Sequence, residues 1–78
     1  MISENDNVEI IRRRFVAGEI IELIIGTAIA LYEDEYPEER DERGVIERNA
    51  IPFWVVRLPD GTEKKEKTDN LRKIRETK

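Results

Sequence analysis

The sequence predicts a small, mainly β domain, and three observations carry that prediction. Apolar residues come in short runs rich in β-branched and aromatic types, "VEIIRRRF", "EIIELII" and "IPFWVVRL", which suit a pleated, half-buried surface. Turn-forming residues punctuate the runs at short intervals: Ala17-Gly18, Gly26, Gly44, Asn49-Ala50 and Pro59-Asp60-Gly61. The chain has 78 residues, so it holds one domain at most, of a size at which a small core suffices.

Taken in order, residues 1–7, "MISENDN", are polar and acidic and read as a disordered tail before a single domain over residues 8–75. "VEIIRRRF" opens the domain with β-branched residues beside three arginines. Over residues 16–31 two readings compete. One makes residues 8–32 two or three strands hinged at Gly18 and Gly26. The other is a helix with the stripe Val16, Ile20, Ile24 and Leu31. Each interior glycine costs a helix about 1 kcal/mol relative to alanine, and isoleucine adds a smaller penalty through its stiff χ1. These costs favour strands. "EDEYPEERDER", residues 33–43, is crowded with acids and interrupted by Pro37, and reads as a solvated acidic loop.

The second half is plainer. "RGVIER" is a short strand after Gly44, and Asn49-Ala50 is a turn. "IPFWVVRL" is a strand, with Pro52 near its entry, where a missing N–H is tolerated. "PDG" is a tight turn, Pro59 presetting φ and Gly61 supplying a positive one. "TEKKEK" returns as a charged edge strand with little burial. Thr68 or Asp69 then caps a short helical turn, "NLRKI", with Leu71 and Ile74 on one face.

Composition excludes much chemistry. There is no cysteine and no histidine. Disulfides, thiolate zinc sites, the commonest general base and the commonest metal ligand are therefore gone together. Only carboxylates, lysines and tyrosines remain for acid–base work, and no Gly-rich phosphate loop occurs. The expectation is a protein that is not an enzyme and takes no cofactor or metal; the acidic stretch lacks the spacing and glycine of an EF-hand loop. The formal net charge is −4, which counts against a generic duplex binder, since phosphate neutralisation drives that affinity. The N-terminus lacks the basic-then-apolar pattern of a signal peptide. "IIELIIGTAIALY" is broken by Glu22 and too short for a bilayer, which needs about 20 apolar residues. A cytoplasmic protein without a membrane partner is expected.

Residues Gly44–Ile74 resemble the closing half of the SH3-like small β-barrels, the Tudor and KOW-like group. The shared order is a Val-Ile strand, a short turn, an aromatic strand ending in "VRL", a "PDG" turn, a polar strand and a terminal "DNLRKI". In those domains a (Y/W)-x-V-x-(F/L)-x-D-G hairpin leads to a polar strand and a one-turn helix of the form E/D-x-L. Upstream, "ALYEDE" looks like the "ALYDY" entry of peptide-binding SH3 domains, and "FWVVR" like their paired-tryptophan strand. The interval between the two motifs is shorter here, Phe53 and Trp54 fill the aromatic pair, and the diverging-turn sequence is absent. The resemblance implies a mainly β, SH3-like five-stranded small barrel with a short terminal helical turn, its first and last strands side by side.

Two candidate surfaces follow. Tyr32, Tyr36 and Trp54, beside Glu33, Asp34 and Glu35, form an aromatic strip flanked by acids. It would bind a basic or proline-containing segment of another protein by stacking, cation–π contact and charge. Against this, so small a barrel needs its aromatics for its core. The alternative surface is a basic edge of Arg12, Arg13, Arg14, Lys64, Lys65, Lys67 and Arg72, which would contact the phosphates of a nucleic acid. Lysines on an edge also simply block strand-to-strand aggregation. A third reading is an acidic inhibitor that copies nucleic-acid charge. The leading reading is a protein-interaction module, adaptor or regulatory, monomeric or homodimeric. Isoleucines of residues 20–25 exceed what so small a chain buries, which points to an interface for a second copy.

Overall fold

The computed structural model describes residues 1–75. Its strands are β1 (Asn7–Val16), β2 (Glu19–Tyr36), β3 (Glu39–Arg40), β4 (Ile46–Arg48), β5 (Ile51–Arg57), β6 (Glu63–Lys67) and β7 (Leu71–Lys73), with one 3-10 turn over Thr68–Asn70. Five of them make an antiparallel sheet in the order β6-β5-β2-β1-β7, while β3 and β4 pair separately. The mainly β prediction holds, and residues 16–31 are two strands meeting at the Ala17-Gly18 turn rather than a helix.

The β1–β2 hairpin follows from Ala17-Gly18. Both residues take positive φ, 50° and 84°, as a type I′ turn requires, and that turn matches the twist of the strands it joins. Alanine has a Cβ that makes this conformation cost about 1–2 kcal/mol. Ala17→Asn, which creates the preferred Asn-Gly pair, is expected to stabilise the fold by about 0.5–1 kcal/mol in urea unfolding. A loss of stability would show that the turn has another geometry. Gly26 is no hinge. It lies inside an unbroken 18-residue strand, beside a bulge where Ile10 faces Gly26 but Ile11 faces Ile24.

Several expectations need correcting. The sheet is not a closed barrel: β6 and β7 are its two edges and do not pair. The stretch 33–43 is not one loop. Residues 33–36 continue β2 and pair with β5, because alternation lets their acids face water while the backbone stays in the ladder. Glu39–Arg40 form β3. The strand after Gly44 pairs with β3 and stays outside the main sheet. The terminal helical turn is shifted: Thr68–Asn70 form it without a side-chain cap, and Leu71 already begins β7 and is buried against the core. The "PDG" turn is as expected, with Gly61 at φ 89° and its N–H donated to the Leu58 carbonyl at 2.9 Å. Asp60 Oδ1 accepts from the Thr62 amide and hydroxyl, and these bonds hold the Asp60 carboxyl below its ordinary pKa.

Although open, the sheet must curl. In a flat five-stranded sheet the outer strands lie about 19 Å apart. Yet the chain passes from Lys67 at the end of β6 to Leu71 at the start of β7, four residue steps that reach at most about 14 Å. The concave face therefore wraps a core of Val8, Ile10, Ala28, Ala30, Trp54, Val56 and Leu71, with Ile2 and Leu58 packed against it. Burial of this apolar surface, at about 25 cal/mol per Å², is what the short strands gain by curling. The N-terminal residues, expected as a tail, make contacts of their own. The Asn5 amide donates to the Ala30 carbonyl at 2.7 Å, and the Ala30 amide to the Asp6 carbonyl at 2.9 Å.

The outline is not that of a sphere. The radius of gyration is 15.3 Å, against about 11.5 Å for a compact domain of this length. One cause is visible in the pairing. β5 reaches only to Ile29 on β2, and β7 covers only Val8–Ile10 on β1. Beyond those points, residues 12–16 and 19–25 continue as a two-stranded arm.

Candidate functional site

Register assigns each candidate residue to a face, because directly opposed residues share one. Trp54 lies opposite Glu33 and Glu66, and Val56 opposite Ala30 and Lys64; this is the concave face. Phe53 lies opposite Asp34 and Lys67, and Val55 opposite Tyr32 and Lys65; this is the convex face. Tyr36 pairs with Ile51 on the same convex side.

The predicted aromatic strip is therefore divided. Trp54 is 4% exposed and belongs to the core, so it cannot present a stacking surface. Glu33 and Glu35 share its side of the sheet. Tyr32 and Tyr36, both substantially exposed, stand on the opposite side with Asp34. Bulk and shape explain Trp54's position, since its Nε1 has no hydrogen-bond partner among the described residues. On the convex side Tyr36 stacks at a tilt on Phe53, centroids 4.6 Å apart. Lys65 Nζ stands 5.2 Å from the Phe53 ring and 5.8 Å from the Tyr36 ring. The chain's own lysine thus occupies the cation–π position that a basic partner would need.

The basic edge is brought together, but with carboxylates threaded through it. Glu66 is only 4% exposed. Its two oxygens accept from Arg12 Nη2 at 2.6 Å and Nη1 at 3.0 Å, and Lys64 Nζ stands 3.0 Å away. Burial pushes the Glu66 carboxyl up, but the hydrogen bonds from Arg12 and Lys64 outweigh it, and the net pKa lies below the ordinary glutamate value. The same hydrogen bond raises the Arg12 pKa. Glu22 collects Arg72 at 2.5 Å and Arg13 at 3.6 Å. Arg13 also donates to the Asp69 carbonyl. Of the predicted set, Arg14, Lys65 and Lys67 stand without an ion-pair partner among the described residues.

The surface that the predicted site residues miss is the arm. Phe15 is 76% exposed and Ile20 69%, Ile24 58% and Ile25 54%; Val16, Ile21 and Leu23 are each exposed by about two-fifths or more. Register puts Phe15 opposite Ile20 on one face, and Arg14 opposite Ile21 and Arg12 opposite Leu23 on the other. One face of the arm is thus mainly apolar, and the other sets Val16, Ile21 and Leu23 among Arg12, Arg14 and Glu19. Its two edges differ. The β1 edge carries Arg12, Arg13 and Arg14. The β2 edge carries isoleucines and Leu23, and its one mid-strand acid, Glu22, is neutralised within the chain. An isolated two-stranded ribbon is marginal in water, and a long flat apolar edge invites pairing. The sequence held part of this signal in the surplus isoleucines of 20–25. Phe15 and Val16 escaped notice because their exposure depends on where β7 stops. Among the described residues no group of acids is arranged to hold a metal, and no helix is long and apolar enough to cross a membrane.

No protein-family model, curated protein or solved structure matches this chain.

Proposed function

We propose that this chain is a non-enzymatic protein-interaction module whose docking element is the β1–β2 arm. The observation that carries the reading is a contiguous set of exposed apolar side chains on both faces of a ribbon that no other described strand covers. On a small domain such a patch marks an interaction site. The strand order, with its outer strands joined through a 3-10 turn and its first and last strands paired, supports the SH3-like architecture, in an opened form. The absence of histidine and cysteine supports a binding role over a catalytic one.

The test is capture on the immobilised chain. Phe15→Asp and Ile20→Asp alter exposed residues only, and should abolish partner retention with an unchanged β-type circular dichroism spectrum. Trp54→Phe should retain the partner. Retention that survives both arm substitutions sinks the reading. For the nucleic-acid alternative, the pairing of Arg12, Arg13, Lys64 and Arg72 with carboxylates weighs against it, and so does a net charge of −4. Retention on total nucleic acid is expected to be negligible even at low ionic strength. Strong retention that collapses with salt and with charge reversal of Arg12–Arg14 would reinstate it.

A further inference from the structure

We infer that the occupant of the arm is a second copy of this chain, joined edge to edge through β2 about a two-fold axis near Leu23; this rests on the arm being the docking element. Three observations lead there. First, the strand itself is apolar: Ile20, Ile21, Leu23, Ile24 and Ile25 of β2 are all exposed along the unpaired stretch, a patch that marks an interaction site.

Second, the edge is free. Residues 19–28 of β2 pair with β1 on one side and, among the described residues, with no strand on the other. Backbone donors and acceptors along such an edge are satisfied by an added antiparallel strand. The opposite edge of the arm does not serve, because antiparallel pairing of β1 with itself would bring the Arg12–Arg14 clusters of two copies together.

Third, the β2 edge is self-complementary. With the axis at Leu23, Ile21 lies opposite Ile25 and Glu22 opposite Ile24, so no carboxylate meets a carboxylate. Glu22 is in any case held by Arg72 and Arg13 of its own chain. A two-fold contact uses the same patch on both copies and closes on itself. It therefore covers the β2 edge of both copies and, of the arm's two edges, leaves free only the arginine-bearing β1 edge.

Sedimentation of the full chain tests this. At about 100 µM, above the micromolar range of weak specific association, the wild type is expected at twice the chain mass. Leu23→Lys places two lysines on the axis, and should raise the dissociation constant at least about 100-fold, with circular dichroism unchanged. Ile25→Lys, off the axis, should act in the same direction. A wild type that stays at the chain mass, or one that grows without limit into larger species, overturns the second-copy inference. The broader reading of the arm has a separate readout, since a monomeric chain whose arm variants lose a different captured protein would keep it while this inference falls.

Discussion

Trp54→Ala is expected to unfold the protein rather than silence a binding surface. The indole is almost wholly buried among Val8, Ile10, Ala30, Val56 and Leu71, and truncating a large buried aromatic costs about 3–5 kcal/mol. A core in a chain this small rarely supplies more than about 3–5 kcal/mol in total, so a large unfolded fraction follows. Trp54→Phe should cost much less, about 1–2 kcal/mol, because most of the bulk remains and the indole N–H has no hydrogen bond among the described residues to lose. Circular dichroism and urea titration measure both. A Trp54→Ala chain that stays folded and loses only partner binding would return Trp54 to the functional surface.

The second large effect lies at Glu66. Its carboxylate draws Arg12 of β1 and Lys64 of β6 together over the concave face, although β5 and β2 lie between those two strands in the sheet. Removing a buried partner leaves charges uncompensated, a loss of about 3–5 kcal/mol when the pair is fully buried. Arg12 is 39% exposed, so water screens part of that, and Glu66→Ala is expected to cost about 2–3 kcal/mol. The pH dependence has a fixed sign. The folded Glu66 pKa is lowered, so its contribution is full above the unfolded value, about 4.3. It is lost as pH falls through the lower folded value. The stability gap between wild type and Glu66→Gln should therefore narrow as urea titrations move from neutral pH into that acid range. A gap that widens on acidification would contradict the assigned ion pairs.

How much of this was legible beforehand depends on the kind of information each residue carries. Local chemistry was readable. Ala17-Gly18 and Pro59-Asp60-Gly61 announce their turns, and the β-branched, aromatic run at 51–57 announces its strand. Pro52 gave no false signal, because β6 begins pairing only at Phe53. Strand extent was not readable. Glu33, Asp34 and Glu35 look like a loop by charge, yet their backbone belongs to β2. Face assignment was also hidden, since the bulge at Leu31 between Ala30 and Tyr32 shifts the alternation and sends Tyr32 and Trp54 to opposite sides. Glu66 sits in "EKKEK", where nothing in the composition separates a buried carboxylate from its solvated neighbours. Its burial depends on Arg12, 54 positions away. The arm was half visible: the apolar surplus is in the sequence, but its exposure arises from the places where β5 and β7 end.

The proposed pairing of β2's free edge with that of a second copy makes protection of its amides depend on protein concentration. Amide hydrogen exchange at residues 20–25, followed by NMR across a range of protein concentrations, addresses it most directly. The amides on the free side of β2 should be protected at high concentration, progressively lose protection on dilution, and lose it at all concentrations in Leu23→Lys. Free-side amides that exchange at open rates however concentrated the wild-type protein, while those bonded to β1 stay protected, would contradict it.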